Sequence, residues 1–148
     1  MDDKENNRIR IKVMCVITDG NRVLAGHGRD NVKNEDFYRV LGGNMEFGET
    51  SEEGVRREIR EELNSEIEDL KFLDVVENTF TYKGKPGHEI IFLFRGTLAD
   101  KEIYKRAKIH IVEDGYEFDA EWVLLKDVRA GRTRLYPEYD YSKVFNAQ

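Results

Sequence analysis

The chain has 148 residues, a formal net charge of −6, 36% charged and 39% hydrophobic residues. Those values describe one domain, long enough to bury a core, with the composition of a soluble globular protein. The acidic balance argues against a nucleic-acid polymer as the main partner, and no apolar run approaches the ~20 residues of a membrane span, so no membrane partner is expected.

Residues 1–7 have no apolar signal region and read as an unstructured lead-in to a single domain over 8–148. Ile9, Ile11, Val13, Cys15 and Ile17 alternate with Arg8, Arg10, Lys12, Met14 and Val16. This pattern predicts a strand whose second half is buried on both faces. Cys15 is then a packing residue. As the lone cysteine it excludes an internal disulfide and fits a reducing, cytoplasmic location. Asp19-Gly20-Asn21 is a turn, and residues 22–25 form the returning strand. Residues 26–36 read as a polar loop, and 37–41 as a short strand that delivers Gly42-Gly43. A helix follows. Thr50 and Glu53 form a capping box at its start, and Val55, Ile59 and Leu63 make its core stripe. Asn64 tolerates the left-handed conformation that ends a helix. Residues 71–82 and 88–98 are long β-like runs around a KGKPG turn. Residues 99–118 read as a long charged loop, 120–125 as a strand, 126–130 as a short helix and 139–145 as a final helical turn. Strands on both sides of a central helix, with a second helix near the end, predict an α/β sandwich around a mixed sheet.

The chemistry concentrates in the first helix. Glu58, Glu61 and Glu62 are spaced i, i+3, i+4 and share one face. Like charges at this spacing destabilise a helix, a cost that a hard cation removes. Carboxylate oxygens suit Mg²⁺ and Mn²⁺. The face borders the core stripe, whereas a solvated face would point straight away from it. Gly54, one turn before Glu58, costs ~1 kcal/mol against Ala in a helix interior, which suggests close approach of a loop or ligand. Taken alone, the three glutamates also fit a solvated charged face.

The wider spacing resembles the Nudix box, G-x5-E-x7-R-E-U-x-E-E-x-G-U with U aliphatic. Here it reads Gly43, Glu49, Arg57, Glu58, Ile59, Glu61 and Glu62, with Asn64 and Ser65 departing from the last two places. The resemblance implies the Nudix fold, an α/β/α sandwich around a mixed β-sheet. It implies a Mg²⁺- or Mn²⁺-dependent hydrolase of the diphosphate bond in a nucleoside diphosphate linked to another moiety. The leading substrates are then nucleoside triphosphates, or ADP-ribose and nucleotide sugars. It implies that Glu58, Glu61 and Glu62 bind metal or act as base, that the Gly42 carbonyl ligates, and that Glu49 pairs with Arg57 to pin the loop to the helix. The alternative is a non-catalytic Nudix-fold nucleotide-binding module, although such modules usually lack a box glutamate and none is missing here. A homodimer is left open.

Similar enzymes take a further acid from outside the box. In MutT-like members it lies shortly before a Glu-Trp pair resembling Glu121-Trp122, which favours Glu117 over Glu113, Asp114 and Asp119. Glu89 is a second candidate. Arg39, leading into the turn, is a candidate for a substrate phosphate along with Gly43; Arg22, Arg29 and Lys33 are weaker ones. His27, His88 and His110 show no metal-ligand spacing. The box can grip only what all these substrates share, so substrate choice is expected in the 26–36 and 99–118 segments.

Overall fold

A computed structural model describes residues 7–146, so all but Asn7 of the expected lead-in lies outside the described residues. The strands are β1 (Arg10–Asp19), β2 (Arg22–Asp30), β3 (Glu35–Asn44), β4 (Ile67–Tyr82), β5 (Lys85–Leu98), β6 (Lys108–Glu113), β7 (Tyr116–Leu124) and β8 (Leu135–Tyr136). The helices are α1 (Ser51–Leu63), α2 (Leu125–Arg129) and α3 (Ser142–Asn146), with a 3-10 turn at Lys101–Lys105. The sheet order is β4-β5-β1-β3-β2-β7-β6, with β8 beside β3. β1–β5 and β3–β8 pair in parallel and the other neighbours antiparallel, so the sheet is mixed.

From Val13 to Ile17 both faces of β1 are buried, because α1 covers one and the C-terminal helices cover the other. Val13, Cys15 and Ile17 pack with Val55, Ile59 and Leu63 of α1. Met14 and Val16 pack on the opposite face with Leu125, Tyr141 and Val144. Burial pushes the Cys15 thiol up to about 12, as suits a packing residue. The helix ends are built as the residues dictate. Thr50 and Glu53 form a reciprocal capping box, and Asn64 closes the helix at φ 52°. Ser65, where the box has an aliphatic residue, is buried with its hydroxyl satisfied: it donates to Glu66 O at 2.9 Å and accepts from Asp100 N at 3.1 Å.

Two expected loops are strands. Within 26–36, β2 runs on to Asp30 and β3 begins at Glu35, leaving only a short turn. Asp30 organises it: its buried carboxylate accepts from Val32 N and Lys33 N, and from Lys83 N in the β4–β5 turn. Within 99–118, the chain makes the 3-10 turn and then the β6–β7 hairpin. Charged residues hid this pattern because they occupy the exposed positions. Ile103, Ile109 and Ile111 carry the burial.

β3 divides its partners. Residues 41–44 pair with β1, whereas 35–40 pair with β2. The sheet therefore forks, and a cleft of about 1220 Å³ opens between the β2–β3 and β4–β5 hairpins and reaches the acidic face of α1.

Candidate active site

The box loop closes onto α1 through Arg57. Its Nε and Nη2 donate to the two oxygens of Glu49 at 3.0 and 2.7 Å, a two-pronged pair. Nη2 also donates to Asn44 O at 2.9 Å, and Nη1 to Glu58 Oε1 at 2.9 Å. Glu49 additionally accepts from Glu46 N at 2.7 Å. The Arg57 guanidinium, foremost, holds the Glu49 carboxyl below the usual carboxylate range, and Glu49 in turn raises Arg57. The expected loop-to-helix pin is present as geometry. Gly54 is explained by it, since a Cβ there would come within 2.8 Å of Glu49 Oε1.

Glycines bring β3 against the carboxylates. Gly42 has φ +153°, and a Cβ would strike the Val13 carbonyl; a Cβ on Gly43 would strike the Glu58 carboxylate. Glu58 and Glu62 are buried beneath this turn, and the Gly42 N–H donates to Glu62.

Carboxylate oxygens of Glu58, Glu61 and Glu113 lie within 4.8 Å of one another. Glu113 comes from the end of β6, inside the expected loop. Its partner is set by strand phase: Ile109 and Ile111 face α1, so Glu113 does too. Glu117 stands opposite Val112 and shares the outward phase of Asp119, leaving its side chain 67% exposed beside His110 at 3.8 Å. Of the expected outer acids, the strand phase thus puts Glu113 in contact with the Glu58–Glu61 cluster, while Glu117 lines the same cleft from an exposed position. The alternation Ile109, Ile111, Glu113 was the available signal. Asp114 lines the cleft at the hairpin turn, and Asp119 bonds His110 at 2.9 Å. Trp122 of the Glu-Trp pair is a packing residue, stacked on Tyr104 and donating to Arg106 O.

This cluster is not electrostatically complete. Glu58 Oε2 and Glu62 Oε1 are buried with no hydrogen-bond partner. Burial, then the charges of Glu113 and Glu58, push the Glu62 carboxyl well above the usual range. Burial and a hydrogen bond to Glu58, with the charges of Glu58, Glu61 and Asp114, push Glu113 up to about 7. Several acids this close cannot all ionise unaided. An all-oxygen donor set of this kind fits a hard divalent cation.

Farther along the cleft floor, Glu89 is 3% exposed and receives Arg39 Nη2 on both oxygens at 2.7 Å. Glu89 is therefore paired with Arg39 and stands outside the acidic cluster. Lys12, which the sequence reading passed over, lies 3.8 Å from Glu89 and lines the same cleft. Burial, then the Arg39 charge, lowers its pKa. Of the weaker candidates, Arg29 bonds Asp36 and Asn34 at the cleft rim, and Lys33 donates to Thr81 O at 2.7 Å. Arg22 lies away from the cleft, bonded to Asp19 and Tyr104 O and stacked over Trp122. His27 bonds Asp36, and His88 bonds Glu77.

Known proteins resemble this chain in sequence and in fold. The NUDIX domain profile matches residues 8–142. The NAD-capped RNA hydrolase NudC of Haemophilus influenzae (strain PittGG) is 32% identical over 100 residues, which span 68% of this chain and 33% of that protein. The chain thus matches about a third of that relative's length. Among solved structures, a MutT NUDIX hydrolase from Burkholderia pseudomallei is 22% identical with a TM-score of 0.53, covering 81% of this chain and 86% of that one. A NUDIX hydrolase from Nitrosomonas europaea is 18% identical with a TM-score of 0.59, covering 88% of this chain and 82% of its own. At these identities the structures speak for the fold, and the profile, spanning most of the chain, speaks for descent. The chain belongs to the NUDIX family.

Proposed function

We propose that this protein is an enzyme that hydrolyses the diphosphate bond of a nucleoside diphosphate linked to a second group, and that it uses Mg²⁺ or Mn²⁺. One observation carries the reading: three carboxylates converge within 4.8 Å, and two buried carboxylate oxygens beside them have no partner. Glu58, Glu61 and Glu113 would hold the metal, with Glu62 and the Gly42 carbonyl completing the cage. Bound there, a divalent cation supplies charge neutralisation and a water of lowered pKa.

The chain's own groups do the rest. Arg57 holds Glu58 and Glu61 in place and, through Glu49, fixes the loop behind Gly43. Gly43, having no side chain, lets the Glu58 carboxylate lie against the turn that faces the diphosphate. Glu58 or Glu113 accepts the proton of the attacking water. Arg39 contacts a phosphate oxygen from the cleft floor. The products are a nucleoside monophosphate and the phosphorylated second group.

The cleft of about 1220 Å³ exceeds the ~300–1,000 Å³ of ordinary small-molecule sites, which leaves room for a substrate with two bulky halves. NAD belongs on the test panel for that reason and because one relative is named for NAD-capped RNA. The test is a panel of nucleoside triphosphates, ADP-ribose, nucleotide sugars and NAD with Mg²⁺ and with Mn²⁺, products identified by mass. Cleavage of one class at the diphosphate supports the reading. No cleavage of any member with either metal overturns it.

A further inference from the structure

Lys12 has no role in the chemical steps of the proposed hydrolysis. This residue lies on β1, paired in register with Asn44 on one side and Ile91 on the other. The next residue, Val13, pairs with Gly43, against which the Glu58 carboxylate packs. Lys12 lines the same cleft as Glu58, Arg39 and Glu89, and the charges of all three act on it. Its side chain is only 15% exposed, yet its Nζ has no hydrogen-bond acceptor among the described residues. The carboxylate oxygen it faces, Glu89 Oε2, is 3.8 Å away and already receives Arg39 Nη2. Glu89 thus faces two cations, and its hydrogen bonds go to Arg39, leaving the ammonium without one. A largely buried ammonium with three donors and no acceptor is unfavourable unless something else supplies one. Arg39 is in a similar state, because its Nε and Nη1 have no partner among the described residues and its side chain borders the cleft.

We infer that Lys12 is a substrate-binding residue that, together with Arg39, grips the phosphate lying away from the acidic cluster, and that Glu89 is the positioning residue that keeps the two cations side by side. The inference rests on the diphosphate reading and deepens it. A diphosphate that enters this site meets carboxylates at one end, where only a metal can make the approach favourable. Its other phosphate needs a separate source of positive charge, and the cleft floor offers Lys12 and Arg39. The ammonium acts there as a point charge and the guanidinium as a directional fork. The pair therefore selects substrates with two adjacent phosphates over those with one.

Calorimetric binding of inorganic pyrophosphate and of orthophosphate to the full chain, in Mg²⁺, tests this. Lys12→Met, Lys12→Gln and Lys12→Arg are compared with wild type, and melting curves show that each is folded. Two neutral variants guard against one failing to fold. The expected result is that each neutral variant weakens pyrophosphate ~10–100-fold, the range for losing a charge-assisted hydrogen bond. Orthophosphate, which the metal holds alone, should weaken less than ~3-fold, and Lys12→Arg should keep most of the affinity. Glu89→Gln should show the same pyrophosphate-selective loss, with partial rescue by Glu89→Asp; a purely structural role would weaken both anions alike. Unchanged pyrophosphate affinity in the neutral variants, equal loss for both anions, or no pyrophosphate binding by wild type overturns the inference. The substrate panel fails separately. A wild type that cleaves nothing but binds pyrophosphate through Lys12 sinks the functional reading and keeps this one, and active enzyme with Lys12-independent binding does the reverse.

Discussion

Two sets of carboxylates share the surface of α1, and the protein treats them in opposite ways. Glu49 is fully engaged: Arg57 donates to both its oxygens, the Glu46 amide adds a third bond, and its carboxyl sits below the usual range. Across the same arginine, Glu62 and Glu113 are raised, and buried oxygens of Glu58 and Glu62 have no partner. The first set completes its electrostatics within the chain and acts as scaffold. The second set is left incomplete, and the proposed cation would complete it.

The largest effect should come from the incomplete side. Glu58→Gln and Glu62→Gln are each expected to lower turnover by at least ~100-fold, as when a group that stabilises transition-state charge is removed, while the metal-free melting temperature holds or rises. Steady-state rates in saturating Mg²⁺ and thermal melts check this. Wild-type rates would place those carboxylates outside the mechanism.

Arg57→Ala should behave in the contrary manner and reduce both rate and stability. It leaves Glu49 and Glu58 without their shared partner. Breaking a buried pair costs ~3–5 kcal/mol, and with the guanidinium partly exposed roughly 1–3 kcal/mol is expected here. Denaturant unfolding measures it. A variant as stable as wild type but slower would move Arg57 from scaffold to substrate contact.

pH separates the two sides next. Glu62 and Glu113 have folded pKa values above the ordinary 4.5, so the folded protein holds extra protons and metal-free stability falls as pH rises from there, through about 7 for Glu113. Glu49 is depressed, so its contribution is present above 4.5 and lost as pH falls through its folded value. Metal must displace the protons on the raised pair. The melting-temperature gain from Mg²⁺ or Mn²⁺ should therefore be larger at about pH 8 than at about pH 6, and smaller in Glu62→Gln. Melts unmoved by millimolar metal at either pH would remove the cation from the site.

The finest comparison is Glu113→Gln against Glu117→Gln. The former should blunt the metal-induced gain and slow turnover by ~10-fold or more; the latter should stay within ~2-fold on both, as for a solvated surface change. Isothermal metal titration of the two variants decides it. Equal losses would show that the outward phase of Glu117 does not hold during turnover.

The helix and its acidic face could be read from residues 43–65 because helical geometry is local: Thr50, Glu53 and Asn64 set its ends, and i, i+3, i+4 spacing sets one acidic face. The Glu49–Arg57 pair was also foreseeable, but only by resemblance, since a loop intervenes. The β6–β7 hairpin was missed because its charged exposed positions outnumber its isoleucines and mask a short period-2 pattern. Glu117 was favoured over Glu113 by the resemblance of Glu121-Trp122 to a Glu-Trp pair, which carries no information on strand phase. The pairing of Arg39 with Glu89, 50 residues apart, and the meeting of Lys12, Glu58 and that pair in one cleft were decided by the forking of β3 between β1 and β2. Local spacing tells a chain which side chains share a face. Which faces then meet, and which charges are left without partners where they meet, depends on long-range strand register and burial, and no short stretch of this sequence contains either.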